Sequence, residues 1–109
     1  MEKAKVIFKK EKNPYTGKYE VFAVFPEFTA TYGKIQAYTS EGWCEVSYEY
    51  YVYARTTKPD EYAEMFSKLQ KMFDGSDGEQ PMELVTGKRI SWKMKDKMWR
   101  ESYEDYIHE

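Results

Sequence analysis

The clearest hydrophobic patterns in the chain lie between Cys44 and Phe73. From Cys44 to Arg55 the pattern alternates. Cys44, Val46, Tyr48, Tyr50, Val52 and Ala54 share one parity, and Glu45, Ser47, Glu49, Tyr51, Tyr53 and Arg55 the other. Successive side chains of a strand point to opposite faces, so this spacing predicts one long half-buried β-strand. Downstream the period changes. Tyr62, Met65, Phe66, Leu69, Met72 and Phe73 recur at steps of three and four, which is one apolar stripe of an α-helix over residues 59–73. Thr57 is placed to cap this helix, Pro59 suits its first turn, and Asp60 and Glu61 favour its positive end. Gly75 follows Phe73 as a C-terminal cap.

Earlier in the chain Ala4, Val6 and Phe8 alternate with Lys5, Ile7 and Lys9, predicting a first strand. Asn13-Pro14-Tyr15-Thr16-Gly17 supplies turn chemistry for a hairpin. Residues 19–25 are apolar at both parities, as in a strand covered on both faces, and Pro26 ends the run because it cannot donate to a ladder. Residues 26–33 read as a loop anchored by Phe28 and Tyr32. Residues 34–39 form a short third strand, and Ser40-Glu41-Gly42 turns the chain into the long fourth one. The first four strands therefore predict an antiparallel meander.

The last third gives a weaker pattern. Residues 74–81, DGSDGEQP, have loop composition. Leu84 and Thr86 against Val85, then Ile90, Trp92 and Met94 against Arg89, Ser91 and Lys93, predict a second hairpin turning at Gly87-Lys88. A short helix capped by Asp96 and carrying Trp99, Tyr103, Tyr106 and Ile107 follows. One continuous helix from Ser91 to Ile107 is the competing reading. The expected fold is thus a single α+β domain over residues 1–109: a meander of about four strands with a C-terminal hairpin, one main helix packed on a face, and a short C-terminal helix.

Composition narrows the function classes. The 18% aromatic content, mostly tyrosine, is high, and tyrosine suits half-buried sheets and interfaces alike. Cys44 is the one cysteine, so no internal disulfide forms, and its place on the apolar parity reads as a buried, inert thiol. The N-terminal residues MEKAKVIFKKEK lack a signal-peptide core, and no apolar run is long enough to span a bilayer. The expectation is a soluble chain in a reducing, cytoplasmic setting.

The formal net charge of −2 conceals segregated blocks. Residues 1–18 hold six lysines against Glu2 and Glu11, whereas residues 19–87 hold twelve acidic groups against five basic ones. The run 88–100 is basic again through Lys88, Arg89, Lys93, Lys95, Lys97 and Arg100, interleaved with Trp92 and Trp99. Cations that neutralise phosphates beside tryptophans that stack bases describe a nucleic-acid surface. Against it, Glu45 and Glu49 lie on the strand face that would receive the bases.

Catalytic and metal chemistry find little support. The single histidine, His108, is one residue from the end and far from Cys44, so no zinc set assembles. The stretch DGSDGE lacks the alternating oxygen ligands of a calcium loop. No nucleophile elbow or phosphate loop is present. Glu45 and Glu49, four residues apart on a strand, stand about 13 Å apart, too far for a glycosidase pair. No cofactor and no metal are expected, and the chain reads as non-enzymatic. Tyr51, Tyr53 and Arg55 share a strand face, where exposed aromatics would anchor a protein partner. Alternatively Trp92, Trp99 and Tyr103 cover that face as a second small core.

Three segments carry a resemblance: Val6-Ile7-Phe8-Lys9-Lys10, Val21-Phe22-Ala23-Val24-Phe25-Pro26-Glu27 and Thr57-Lys58-Pro59-Asp60-Glu61-Tyr62. Together they resemble a group of small proteins encoded on mobile elements and phages of gut bacteria. The similarity covers about the first two-thirds. The C-terminal third departs from it, and the histidine-rich stretch common before the helix in that group is missing. No function accompanies the group, so the resemblance implies a cytoplasmic accessory protein and assigns no site residue. The functional expectation is an interaction protein that binds a protein partner or a second copy of itself through Tyr51, Tyr53, Arg55, Trp92 and Trp99. Nucleic-acid binding through residues 88–100 and the N-terminal lysines is the alternative.

Overall fold

The structure, a computed structural model, describes residues 2–102. The N-terminal strands form as the alternation predicts: β1 (Glu2–Lys12), β2 (Tyr19–Phe25), β3 (Lys34–Thr39) and β4 (Gly42–Ser47), paired antiparallel in the order β4-β3-β2-β1. Asn13 closes the first hairpin. Its side-chain oxygen accepts from the Tyr15 and Thr16 amides at 2.8 and 3.2 Å, and Gly17 takes φ 74°, where a Cβ would be strained.

The fourth strand is shorter than predicted. Its ladder with β3 ends at the pair Lys34↔Ser47. Before Lys34 the chain is a loop with Gly33 at φ 85°, so residues beyond Ser47 have no strand to pair with. A segment without a partner strand must satisfy its backbone groups locally. It does so as helix α1 (Tyr48–Tyr53), capped by the Ser47 hydroxyl, which accepts from the Tyr50 amide at 3.0 Å. The strand reading of 48–54 is therefore corrected, and with it the shared strand faces of Glu45 with Glu49 and of Tyr51 with Tyr53.

A short strand β5 (Arg55–Thr56) then pairs with Lys9 and Lys10 of β1, and helix α2 (Pro59–Met72) follows. The N-cap position of α2 is Lys58, not Thr57. The Glu61 carboxylate accepts from the Lys58 amide at 2.8 Å, while the Thr57 hydroxyl donates to the Phe8 carbonyl at 2.9 Å. Lys10 and Glu61 form an ion pair at 2.5 Å that ties β1 to this helix end.

The predicted second hairpin does not form. Residues Met82–Gly87 make strand β6, which lies parallel to β1 with Ala4 opposite Leu84. The chain then places Ile90 in the interior and enters helix α3 (Trp92–Glu101). The segment is helical, as the competing reading has it, but the helix ends at Glu101, with Ser102 in extended backbone, instead of running on unbroken from Ser91 to Ile107. Its cap is the Ser91 hydroxyl, accepting from the Met94 amide at 3.2 Å, rather than Asp96, which lies inside the helix. Tyr103, Tyr106, Ile107 and His108 lie outside the described residues.

The sheet is covered on both faces, giving three layers. Ala4, Val6, Phe8, Ala23, Phe25 and Leu84 pack with Leu69 of α2 on one face. Ile7, Phe22, Val24, Ile35 and Ala37 pack with Tyr51 of α1, Ile90, and Met94 and Met98 of α3 on the other. The two-sided apolar run of β2 thus finds a core on each side, as expected of it. No helix among the described residues is long and apolar enough to cross a membrane.

Candidate functional site

Helix α2 sits on the sheet with part of its apolar stripe unburied. Tyr62 and Phe66 stack over Phe8, with ring centroids at 4.4 and 5.9 Å, and Pro59 and Ala63 add apolar surface beside the stripe. The result is a groove of about 710 Å³ lined by Tyr62, Ala63, Phe66, Gln70, Phe73 and Met82, with Pro59 and Pro81 among its other walls. Its charged lining is one lysine, Lys71, and one carboxylate, Asp74. Concavities of this size and apolar character bury most of a small ligand or a few side chains of a larger one.

The floor of the groove meets the edge of β6 that faces away from β1. Among the described residues β6 pairs with no strand but β1. On its other side, the Met82 amide donates to the Phe73 carbonyl at 2.9 Å. Gln70 supplies the next two bonds: its amide nitrogen donates to the Met82 carbonyl and its oxygen accepts from the Leu84 amide, both at 2.9 Å. Sequence reasoning missed this site because Tyr62, Phe66 and Phe73 read as an ordinary core stripe. The available signal was its breadth, with Pro59 and Ala63 adding apolar surface beside it.

The residues expected to form an aromatic sheet face are not brought together on one. Tyr51 is buried, its hydroxyl oxygen accepting from the Ile90 amide at 2.8 Å. Burial raises its pKa above the ordinary tyrosine value. Tyr53, at the end of α1, is 83% exposed. Arg55 lies over the Tyr19 ring at 5.7 Å. Trp99 packs against Tyr32 and Tyr48 at 5.4 and 5.9 Å, whereas Trp92 is 77% exposed.

Beneath α1, Lys9 is buried, with Nζ donating to the Ala54 carbonyl at 3.2 Å and lying 4.7 Å from the centre of the Tyr51 ring. Desolvation lowers its pKa. These contacts engage the amine inside the fold.

The basic run is divided by its contacts. Arg100 pairs with Asp96, and Lys95 lies 4.3 Å over the Tyr48 ring. Lys88, Arg89, Lys93 and Lys97 are exposed. The parallel pairing sets Lys3 opposite Glu83 and Lys5 opposite Val85. Both lysines share the parity of Ile7, so they lie on the sheet face that carries α3.

One further expectation changes. Cys44 is exposed on β4 rather than buried. Its pKa is raised, first by desolvation and then by the charges of Glu41 and Glu45, so the thiolate form is disfavoured. Glu11 and Glu20 stand opposite each other across β1 and β2. Asn13 donates to Glu20 at 3.2 Å, and the Tyr50 hydroxyl bonds to Glu11 with its pKa pushed up to about 12, first by burial. Among the described residues no group of three or more His, Cys, Asp or Glu side chains is arranged to hold a metal ion.

Comparison with protein-family models, with curated proteins and with solved structures found no match.

Proposed function

We propose that this chain is a non-enzymatic interaction domain that holds a polypeptide partner in the groove between α2 and β6. The observation that carries this reading is the coincidence of an apolar groove of about 710 Å³ with a strand edge that is met by a side chain and a helix end rather than by another strand. An unfilled apolar stripe flanked by polar surface marks a contact site, and Tyr62 and Phe66 are side chains of the kind that anchor interfaces. A role as an accessory protein in a cytoplasmic setting agrees with the resemblance of residues 6–10, 21–27 and 57–62 to small mobile-element and phage proteins.

The test is selection of phage-displayed random octapeptides on the purified protein, followed by binding to Ala63→Arg. Ala63 is an exposed helix position lining the groove, and arginine is a good helix former, so the fold is retained while the groove is filled. Peptides that bind the parent and lose at least tenfold in affinity for Ala63→Arg support the reading. A set of binders indifferent to that change overturns it.

A second reading has its own observation. Trp92 stands exposed between Arg89 and Lys93, and the β1–β6 pairing puts Lys3 and Lys5 on the same sheet face as α3. An exposed ring among cations suits a single-stranded nucleic acid. Fluorescence anisotropy of labelled DNA and RNA at several salt concentrations tests it. Binding that falls steeply with salt and weakens in Trp92→Ala supports this reading, and no binding at low salt removes it.

A further inference from the structure

We infer that the occupant of the groove is an extended segment of the partner that adds as a strand to the outer edge of β6, and that the Gln70 carboxamide occupies this edge in the unbound protein. This rests on the groove being the binding site and states what it takes. A glutamine side chain ends in the same amide as a peptide unit. Here that amide donates to Met82 and accepts from Leu84, both at 2.9 Å. One residue of an incoming parallel strand makes the same pair of bonds through its own N–H and C=O.

Backbone groups of alternate residues in a strand face the same side, so Thr86 N–H lies on the edge that Met82 and Leu84 share. Among the described residues Thr86 is exposed, and no backbone group outside the β1–β6 ladder accepts from its amide. The edge therefore continues past the stretch that Gln70 covers. Native proteins cover such edges because a bare one recruits other chains. Beyond the Phe73 carbonyl on the Met82 amide, the cover here is one flexible side chain, which the backbone of an added residue can replace.

The exchange is close to neutral in hydrogen bonding, since two bonds of the same kind are broken and made. The driving force then comes from apolar side chains entering the groove, at about 25 cal/mol per Å² buried. Strand geometry sends every second side chain of the added segment toward Tyr62, Phe66 and Met82. With Lys71 and Asp74 as its charged lining, the groove offers no net charge to a ligand. The occupant that fits is an uncharged, β-branched or aromatic segment with period two.

The test uses the octapeptides selected as above. Amide chemical shifts of the full chain are recorded by NMR as peptide is added, and affinities are measured for the parent, Gln70→Ala and Ala63→Arg. Strand addition predicts that the Leu84 and Thr86 amides shift strongly. It also predicts that Gln70→Ala, although less stable, binds several-fold more tightly, because no side chain has to leave the edge. A purely structural Gln70 would give weaker binding in that variant. Peptides that are lost with Ala63→Arg but leave the Leu84 and Thr86 amides unmoved overturn strand addition and keep the groove. Absence of any peptide sensitive to Ala63→Arg overturns both. If Gln70→Ala instead dimerises, reversibly with Ala63→Arg, and enriches no peptide, the edge belongs to a second copy and the partner segment is refuted. Should Gln70→Ala not fold, the shifts in the parent protein decide.

Discussion

The Tyr51 hydroxyl oxygen accepts the Ile90 amide at 2.8 Å, and this bond fixes the segment ahead of α3 against α1. Both residues are buried, so water cannot replace the acceptor. Leaving a buried amide unsatisfied costs about 1–3 kcal/mol. Tyr51→Phe keeps the ring and removes the acceptor, so unfolding in urea should show a loss of about that size. A variant as stable as the parent would mean that the Ile90 amide finds another acceptor.

Leu69 is fully enclosed between α2 and the sheet, while Met72, three residues on, is 38% exposed. Leu69→Ala removes buried methyl groups and leaves a cavity, with an expected loss of about 2–5 kcal/mol. Met72→Ala should stay within about 0.5 kcal/mol of the parent. Urea titration of the two variants checks the contrast. Equal losses would place the α2 stripe in a different rotation about its axis.

The Tyr50 hydroxyl, pushed up to about 12 by burial and by Glu11, gives a dependence on alkaline pH. The unfolded tyrosine ionises near pH 10, so at higher pH the folded state keeps a proton that the unfolded state has released. This contribution is fully present below about pH 10 and is lost as pH rises toward 12. Tyr50→Phe should decline less in stability over that range. Ultraviolet titration of the phenolates should show one tyrosine fewer among the late-ionising group.

Cys44 should alkylate under native conditions, because it is exposed. Its rate at neutral pH should nevertheless lie below that of a free thiol, since desolvation and then Glu41 and Glu45 disfavour the thiolate. Glu41→Gln should raise the rate. Mass-spectrometric timing of iodoacetamide labelling against pH reads both effects, and a rate unchanged by Glu41→Gln would remove the electrostatic part.

Much of this architecture was legible from local pattern. β1, β2 and β3 and the Asn13 turn follow from alternation and turn chemistry, and α2 follows from its stripe. The errors have separate causes. Alternation in 48–54 was real, but strand formation depends on a partner, and the ladder to β3 stops at Ser47. Ser47 and Ser91, the two residues that cap α1 and α3, read as ordinary strand positions. Ile90, Met94 and Met98 also stand at helical spacing, which competed with the period-two reading and won because both methionines pack into the second core. The candidate groove was less legible. Its walls come from α2 and from residues 81–82, and nothing local announces that Gln70 reaches across to β6.

The parallel contact of β1 with β6 also bears on how the chain is synthesised and folds. During translation the meander of β1 to β4 emerges first, and its antiparallel pairs can close early because they join near neighbours in sequence. Residues 2–7 must wait until 82–87 have left the ribosome before their outer side is paired. Such distant contacts form slowly, and an unpaired strand edge exposed in the meantime invites association between nascent copies. Lys3 and Lys5 lie on that waiting segment, where their charge opposes premature pairing with another chain.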